Sequence, residues 1–173
     1  LSGAYSVLET EYKFWTEKRG LPIGLNHYGN ITLTEKASVY ANEFKNRIAS
    51  GYEDKTDLEI ARHSHAMCES GWDMNPRWEF EAYNYVQVDL NSLLYGFENN
   101  MAYFAEILGR ENSWKERAEK RLEAMNKYML TDDGIFLDYN FAKNTKSSVF
   151  SAASYFPLYA GAATKEQARA LAD

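Results

Sequence analysis

Residues 88–129, VDLNSLLYGFENNMAYFAEILGRENSWKERAEKRLEAMNKYM, decide the fold class. Leu90, Leu93, Leu94, Phe97, Met101, Phe104, Ala105 and Leu108 recur at three- and four-residue spacing, the period of a helix with one apolar side, and Gly109 supplies a stop. Ser113 followed by Glu116 forms a capping-box pattern, after which Trp114, Ala118, Leu122, Met125 and Met129 line one face of a second helix. The joining loop is short, so the two are expected to pack as an antiparallel pair.

Working outward, Val7, Leu8, Tyr12 and Trp15 predict a first helix that ends near Arg19-Gly20, before Leu21-Pro22 and a loop to about Thr34. Val39, Phe44, Ile48 and Ala49 fit a second helix weakly, and Thr56 with Glu59 caps another that reaches His65 or Met67. Beyond the central pair, Asp132-Asp133-Gly134 reads as a turn and Ile135-Phe136-Leu137 as a short extended piece. A buried helix over residues 151–160 is interrupted by Pro157, and Thr164 with Gln167 caps a last one. Six or seven helices with almost no strand signal predict an all-α fold of consecutive helical hairpins. The first residue is not Met and lies in a helical stretch, and the last residues carry no stop signal, so both ends are expected to be truncated.

Composition narrows the function. The 173 residues are 45% hydrophobic and 25% charged, with a net charge of -6, which excludes a disordered chain and argues against nucleic acid as a partner. No apolar run approaches the ~20 residues of a membrane-spanning helix. The lone cysteine, Cys68, closes no internal disulfide, so the compartment stays open, and an Asn30-Ile31-Thr32 glycosylation triplet does not decide it.

The densest polar and aromatic cluster runs Glu69-Ser70-Gly71-Trp72-Asp73-Met74-Asn75-Pro76-Arg77-Trp78 and is expected to be a loop, since Gly71 permits unusual backbone angles and Pro76 disfavours helix at Asn75. A carboxylate held beside Trp72 would lose hydration, which suits Asp73 to protonate a leaving glycosidic oxygen. Arg77 offers a planar fork for sugar hydroxyls, while Trp72 and Trp78 offer ring faces. The plainer alternative has Asp73 capping a turn and pairing with Arg77 over a tryptophan core.

That cluster resembles the Glu-Ser-Gly-Trp-Asp...Arg-Trp signature of the trehalase family of glycoside hydrolases. Further segments follow the family's order: Glu11 to Trp15 with Leu25-Asn26-His27-Tyr28, Val88 to Leu94, Gly134 to Asn140, and Ser151 to Ala153 with Pro157-Leu158-Tyr159 and Gly161. The resemblance implies that residues 1–173 are part of a single (α/α)6 toroid domain with an inverting mechanism and no metal or organic cofactor. It implies a small carbohydrate substrate, α,α-trehalose before others, with Asp73 as general acid, Gly71, Trp72, Arg77, Trp78 and Asn91 at the substrate, and a base glutamate beyond Asp173. The isolated segment is then expected to be inactive. Two departures stand out: His27 replaces the family's arginine, and residues 31–35 lack its Pro-Arg-x-Glu-Ser motif. They keep open a related α-glucosidase, a mannosylglycerate-type hydrolase of the same clan, or a non-catalytic sugar-binding helical domain.

Other candidates are structural on their spacing. Asp89 is expected to cap the central helix, and Asp138, Tyr139 and Asn140 to hold a turn or a pocket rim. Glu69 and Asn75 are secondary site candidates. His63, His65 and Cys68 do not make a zinc site, because i and i+2 face apart on a helix. Asp132-Asp133 lacks the third carboxylate that a terpene cyclase would need, and Met101, Met125 and Met129 are core filler.

Overall fold

The computed structural model describes residues 1–29, 36–48, 50–73 and 75–172. The Asn30-Ile31-Thr32 triplet, residues 31–35 and Ala49 lie outside the described residues. Seven α-helices occur among those described: α1 (Ser2–Lys18), α2 (Ala37–Lys45), α3 (Asp57–Ser70), α4 (Val88–Ile107), α5 (Trp114–Tyr128), α6 (Phe156–Tyr159) and α7 (Lys165–Ala170). Single 3-10 turns form at Pro76–Trp78, Ala82–Asn84 and Ala152–Tyr155.

The central pair forms as its periodicity dictates. Val88 near the start of α4 shares a core with Met125 and Met129 at the end of α5, while Met101 and Ala105 share another with Trp114 at the start of α5, so the helices run antiparallel. Gly109 N–H caps α4 on the Glu106 carbonyl at 3.0 Å. The expected Ser113 side-chain cap is absent; Asn112 Oδ1 instead accepts from Trp114 N–H at 3.1 Å. Thr56 with Glu59 and Thr164 with Gln167 do form reciprocal capping boxes. In α1 the buried side chains are Tyr5 and Tyr12, whereas Val7 is exposed. Pro157 does not interrupt a long helix, because it sits in the first turn of α6, where its missing N–H has no intrahelical partner to lose.

Three two-residue strands, too short for periodicity to detect, form one small antiparallel sheet in the order β1 (Tyr85–Val86), β2 (Tyr139–Asn140), β3 (Thr145–Lys146). Tyr85 faces Asn140 and Val86 faces Tyr139, so the sheet brings the segment before α4 beside residues 138–140. The 132–134 turn forms as expected, and Phe136 beyond it bridges back to Leu130.

α3 packs on α2 and carries Ile60, Ala66 and Met67 into a core with Phe44, Trp78 and Leu90. His63 lies in the same buried face, edge-on to Tyr83, and its Nδ1 has no hydrogen-bond partner among the described residues. Burial pulls this imidazole down to about 4 from its usual 6.5. The unfolded chain therefore binds more protons than the folded one between those values, and the stability present above pH 6.5 is lost as pH falls toward 4. Urea unfolding at pH 7 and pH 5 should show the parent losing about 2 kcal/mol more than a His63→Phe variant over that step.

Candidate active site

α3 delivers the Trp-Asp loop. Contrary to a loop starting at Glu69, both Glu69 and Ser70 are still helical, and the chain leaves the helix only at Gly71, whose φ of +74° would strain any side chain. Ser70 Oγ then accepts the Trp72 N–H at 3.0 Å. Asn75 is extended, as the following proline demands, and its Oδ1 accepts the Arg77 N–H at 2.8 Å to open the 3-10 turn.

Arg77 is the hub. Its Nε and Nη2 each donate at 2.6 Å to Asp138, and Nη2 also donates to Asp89 at 2.6 Å. The guanidinium carbon lies 4.7 Å from the Trp78 ring centre and 5.1 Å from that of Trp72. Burial opposes the charge, but the Asp138 and Asp89 carboxylates overcome it and hold the guanidinium more firmly protonated than usual. Trp78 Nε1 donates to Asp138 at 2.8 Å and Trp72 Nε1 to Asp89 at 2.9 Å. Asp138 also accepts the Val88 N–H at 2.8 Å, so it caps α4 from fifty residues away. Asp89 is thus not the N-cap, which is Gln87; it lies inside the first turn, where the helix dipole favours an anion.

A second set of contacts holds the segment before residue 30. Arg19 grips Glu69 through Nε at 2.9 Å and Nη2 at 2.6 Å, and Glu69 also accepts the Gly29 N–H at 2.6 Å. A Cβ on Gly29 would lie 2.7 Å from the Tyr83 ring, so only glycine fits that approach. Asn91 binds the Asn26 backbone twice, accepting its N–H at 2.9 Å and donating to its carbonyl at 2.8 Å. His27 is buried edge-on to Tyr83 and Phe141, and burial lowers its pKa.

The structure brings Gly71, Trp72, Asp73, Arg77 and Trp78 together and buries three of the residues expected at the substrate. Arg77 and Trp78 are buried under Asp138, and Asn91 is buried against Asn26, while Arg77 Nη1 has no hydrogen-bond partner among the described residues. Glu69 is bonded to the Arg19 side chain and the Gly29 N–H, and Asn75 to the Arg77 N–H. Arg77 gives its bonds to Asp89 and Asp138, so its alternative pairing with Asp73 does not form. Asp73 is exposed, against the expectation of a poorly hydrated carboxyl, and lies beside the Cys68 thiol. Burial first and the Asp73 carboxylate second push that thiol up. Trp72 is half-buried. Asp138, expected at a turn or rim, was the residue whose role spacing alone did not reveal; Asn140 does hold a turn, accepting from Ala142 and Lys143 N–H at 3.1 and 3.0 Å. Asp132 and Asp133 are exposed on their turn.

A profile of the trehalase family, described as Trehalase, matches residues 4–173. The fold is similar to the neutral trehalase Nth1 of Saccharomyces cerevisiae, with a TM-score of 0.76 and 28% identity over 98% of this chain and 37% of that one. It is also similar in fold to a GH63 mannosylglycerate hydrolase of Thermus thermophilus solved with Tris and D-glycerate, with a TM-score of 0.61 and 15% identity over 97% of this chain and 46% of that one. The helices are thus a segment of the helical toroid of these enzymes, and the chain spans between about a third and a half of their length.

Removing one partner of a buried ion pair strands the other. Asp138→Ala should therefore cost about 3–5 kcal/mol in denaturant unfolding, whereas Asp73→Asn, on an exposed residue, should stay within about 0.5 kcal/mol.

Proposed function

The chain belongs to the trehalase family, and we propose that it is part of a single catalytic domain that hydrolyses an α-glucosidic bond, that of α,α-trehalose first, with inversion. Asp73 is the general acid in this reading. The observation that carries it is the placement of Asp73: its side chain is exposed, while Trp72 before it and Arg77 after it are fixed by Asp89 and Asp138. Proton transfer at a carboxyl so placed would leave the bonds that hold its neighbours intact.

An inverting hydrolase needs a second carboxyl roughly 6.5–9.5 Å from the acid, with a water between. We assign that base to a glutamate outside this segment. The bound sugar and the rest of the domain would then supply the desolvation that Asp73 lacks here. Trp72 and Gly71 border the sugar; Arg77, Trp78 and Asn91 position the loop and its neighbours instead of touching substrate. A mannosylglycerate-type or other α-glycoside substrate is a second reading, supported by His27 in the family's arginine position and by the fold shared with the Thermus enzyme.

In the full-length protein, Asp73→Asn should lower kcat on trehalose by about 10²–10⁴ with little change in KM. NMR of the first turnovers should show β-glucose from the attacked ring and α-glucose from the leaving one. Turnover of mannosylglycerate but not trehalose would select the second reading, and an unchanged kcat in the variant would remove Asp73 from the mechanism.

A further inference from the structure

Away from the Asp73 loop, α1, the turn before Asn26, α4 and α5 line an open cavity of about 290 Å³, and Trp72, Asp73 and Arg77 are not in its walls. Arg117, Lys120 and Arg121 reach it from α5 at i, i+3 and i+4, which places them on one helix face. Leu21 and Ile23 give its lining an apolar part, and the buried Glu98 carboxylate forms its floor.

The charges there are unevenly spent. Glu98, 1% exposed, accepts from Tyr12 hydroxyl at 2.6 Å and from Arg121 at 2.8–3.0 Å, so its charge is matched by Arg121. Arg117 is held by rings and a hydroxyl: its guanidinium carbon lies 5.0 Å from the Trp114 ring centre and its Nε donates to Ser113 Oγ at 3.3 Å. Lys120 pairs at 2.7 Å with Glu116, but both are exposed, and such a pair exchanges readily for a better anion. With Glu98 matched by Arg121, and Glu116 set against Arg117 and Lys120, one positive charge is left over for a small anion.

We propose that this cavity binds a small phosphate-bearing metabolite, with the phosphate between Arg117 and Lys120 and the remainder against Leu21 and Ile23. The volume is at the lower end of small-molecule sites. Arg121 in its floor also donates to Asn26 Oδ1 at 2.8 Å and Asn91 Oδ1 at 3.0 Å. Asn91 stands two residues after Asp89, which holds Trp72. An occupant that displaces Arg121 therefore pulls on the residues that position the Asp73 loop. That consequence rests on the catalytic reading; the binding does not.

Calorimetric titration of the full-length protein with inorganic phosphate tests the site. Saturable one-to-one binding is expected, weakened on the order of tenfold or more in Arg117→Glu/Lys120→Glu. It should be unchanged in Lys115→Glu, on the same helix but outside the cavity, and in Asp73→Asn. Circular dichroism checks that the double variant folds. Absence of saturable binding, or equal affinity in the double variant, overturns the proposal. Loss of binding in Asp73→Asn does so too, since it would place the phosphate in the sugar site.

Discussion

The fold around the loop turns on one buried cation. Arg77 is 1% exposed and meets two carboxylates, so the cluster holds a net negative charge away from water. Taking such groups out of water costs several kcal/mol each, and their attraction does not reliably repay it against an apolar replacement. What offsets the remaining charge is directional: Trp72 and Trp78 N–H, the Val88 N–H and the positive end of α4 all point at Asp89 and Asp138. The cluster thus works less as a source of stability than as a fixture. Residues 72–78, the start of α4 and residue 138 can meet in one arrangement only if all these donors find their acceptors.

α4 carries that fixture into a second one. Asn91 and Glu98 lie two turns apart on the same side of the helix, and Arg121 reaches both, at 3.0 Å and 2.8 Å. Asn91 in turn acts like a strand partner for the Asn26 backbone, while Gln87 accepts the Tyr28 N–H at 3.1 Å. One helix therefore holds Trp72 and Arg77 through Asp89 and the preceding segment through Gln87 and Asn91. Replacing a member of such a chain leaves the others buried and unpaired, which makes the network cooperative.

How much of this could be read beforehand depends on range. The α4–α5 pair was legible because its signal is local: apolar spacing, a glycine stop and a short loop. Two polar residues broke that pattern informatively. Glu98 falls four after Leu94 and three before Met101, and Arg121 three after Ala118 and four before Met125, so both sit on core-facing stripes and had to find each other. Asp138 gave no such signal. Its partners are 50 to 61 residues away, and the two-residue strands that bring it there are below the length at which alternation can be seen. The same limit hid the bonds that Arg77 and Trp78 make to Asp138. Residue type announces a fork and a ring, whereas burial decides whether a ligand or Asp138 uses them.

Asp73 makes none of these bonds; its neighbours do. Trp72 is tied through its N–H groups to Ser70 and Asp89, and Arg77 through two carboxylates, while the Asp73 side chain is exposed. His27 extends the contrast. Where the family keeps an arginine, this chain has a ring packed on Tyr83 and Phe141 with Nδ1 satisfied by the Tyr28 carbonyl at 2.9 Å. A buried, lowered imidazole cannot replace a charged fork on a sugar hydroxyl. In the catalytic reading, recognition at that end of the substrate must therefore pass to other side chains.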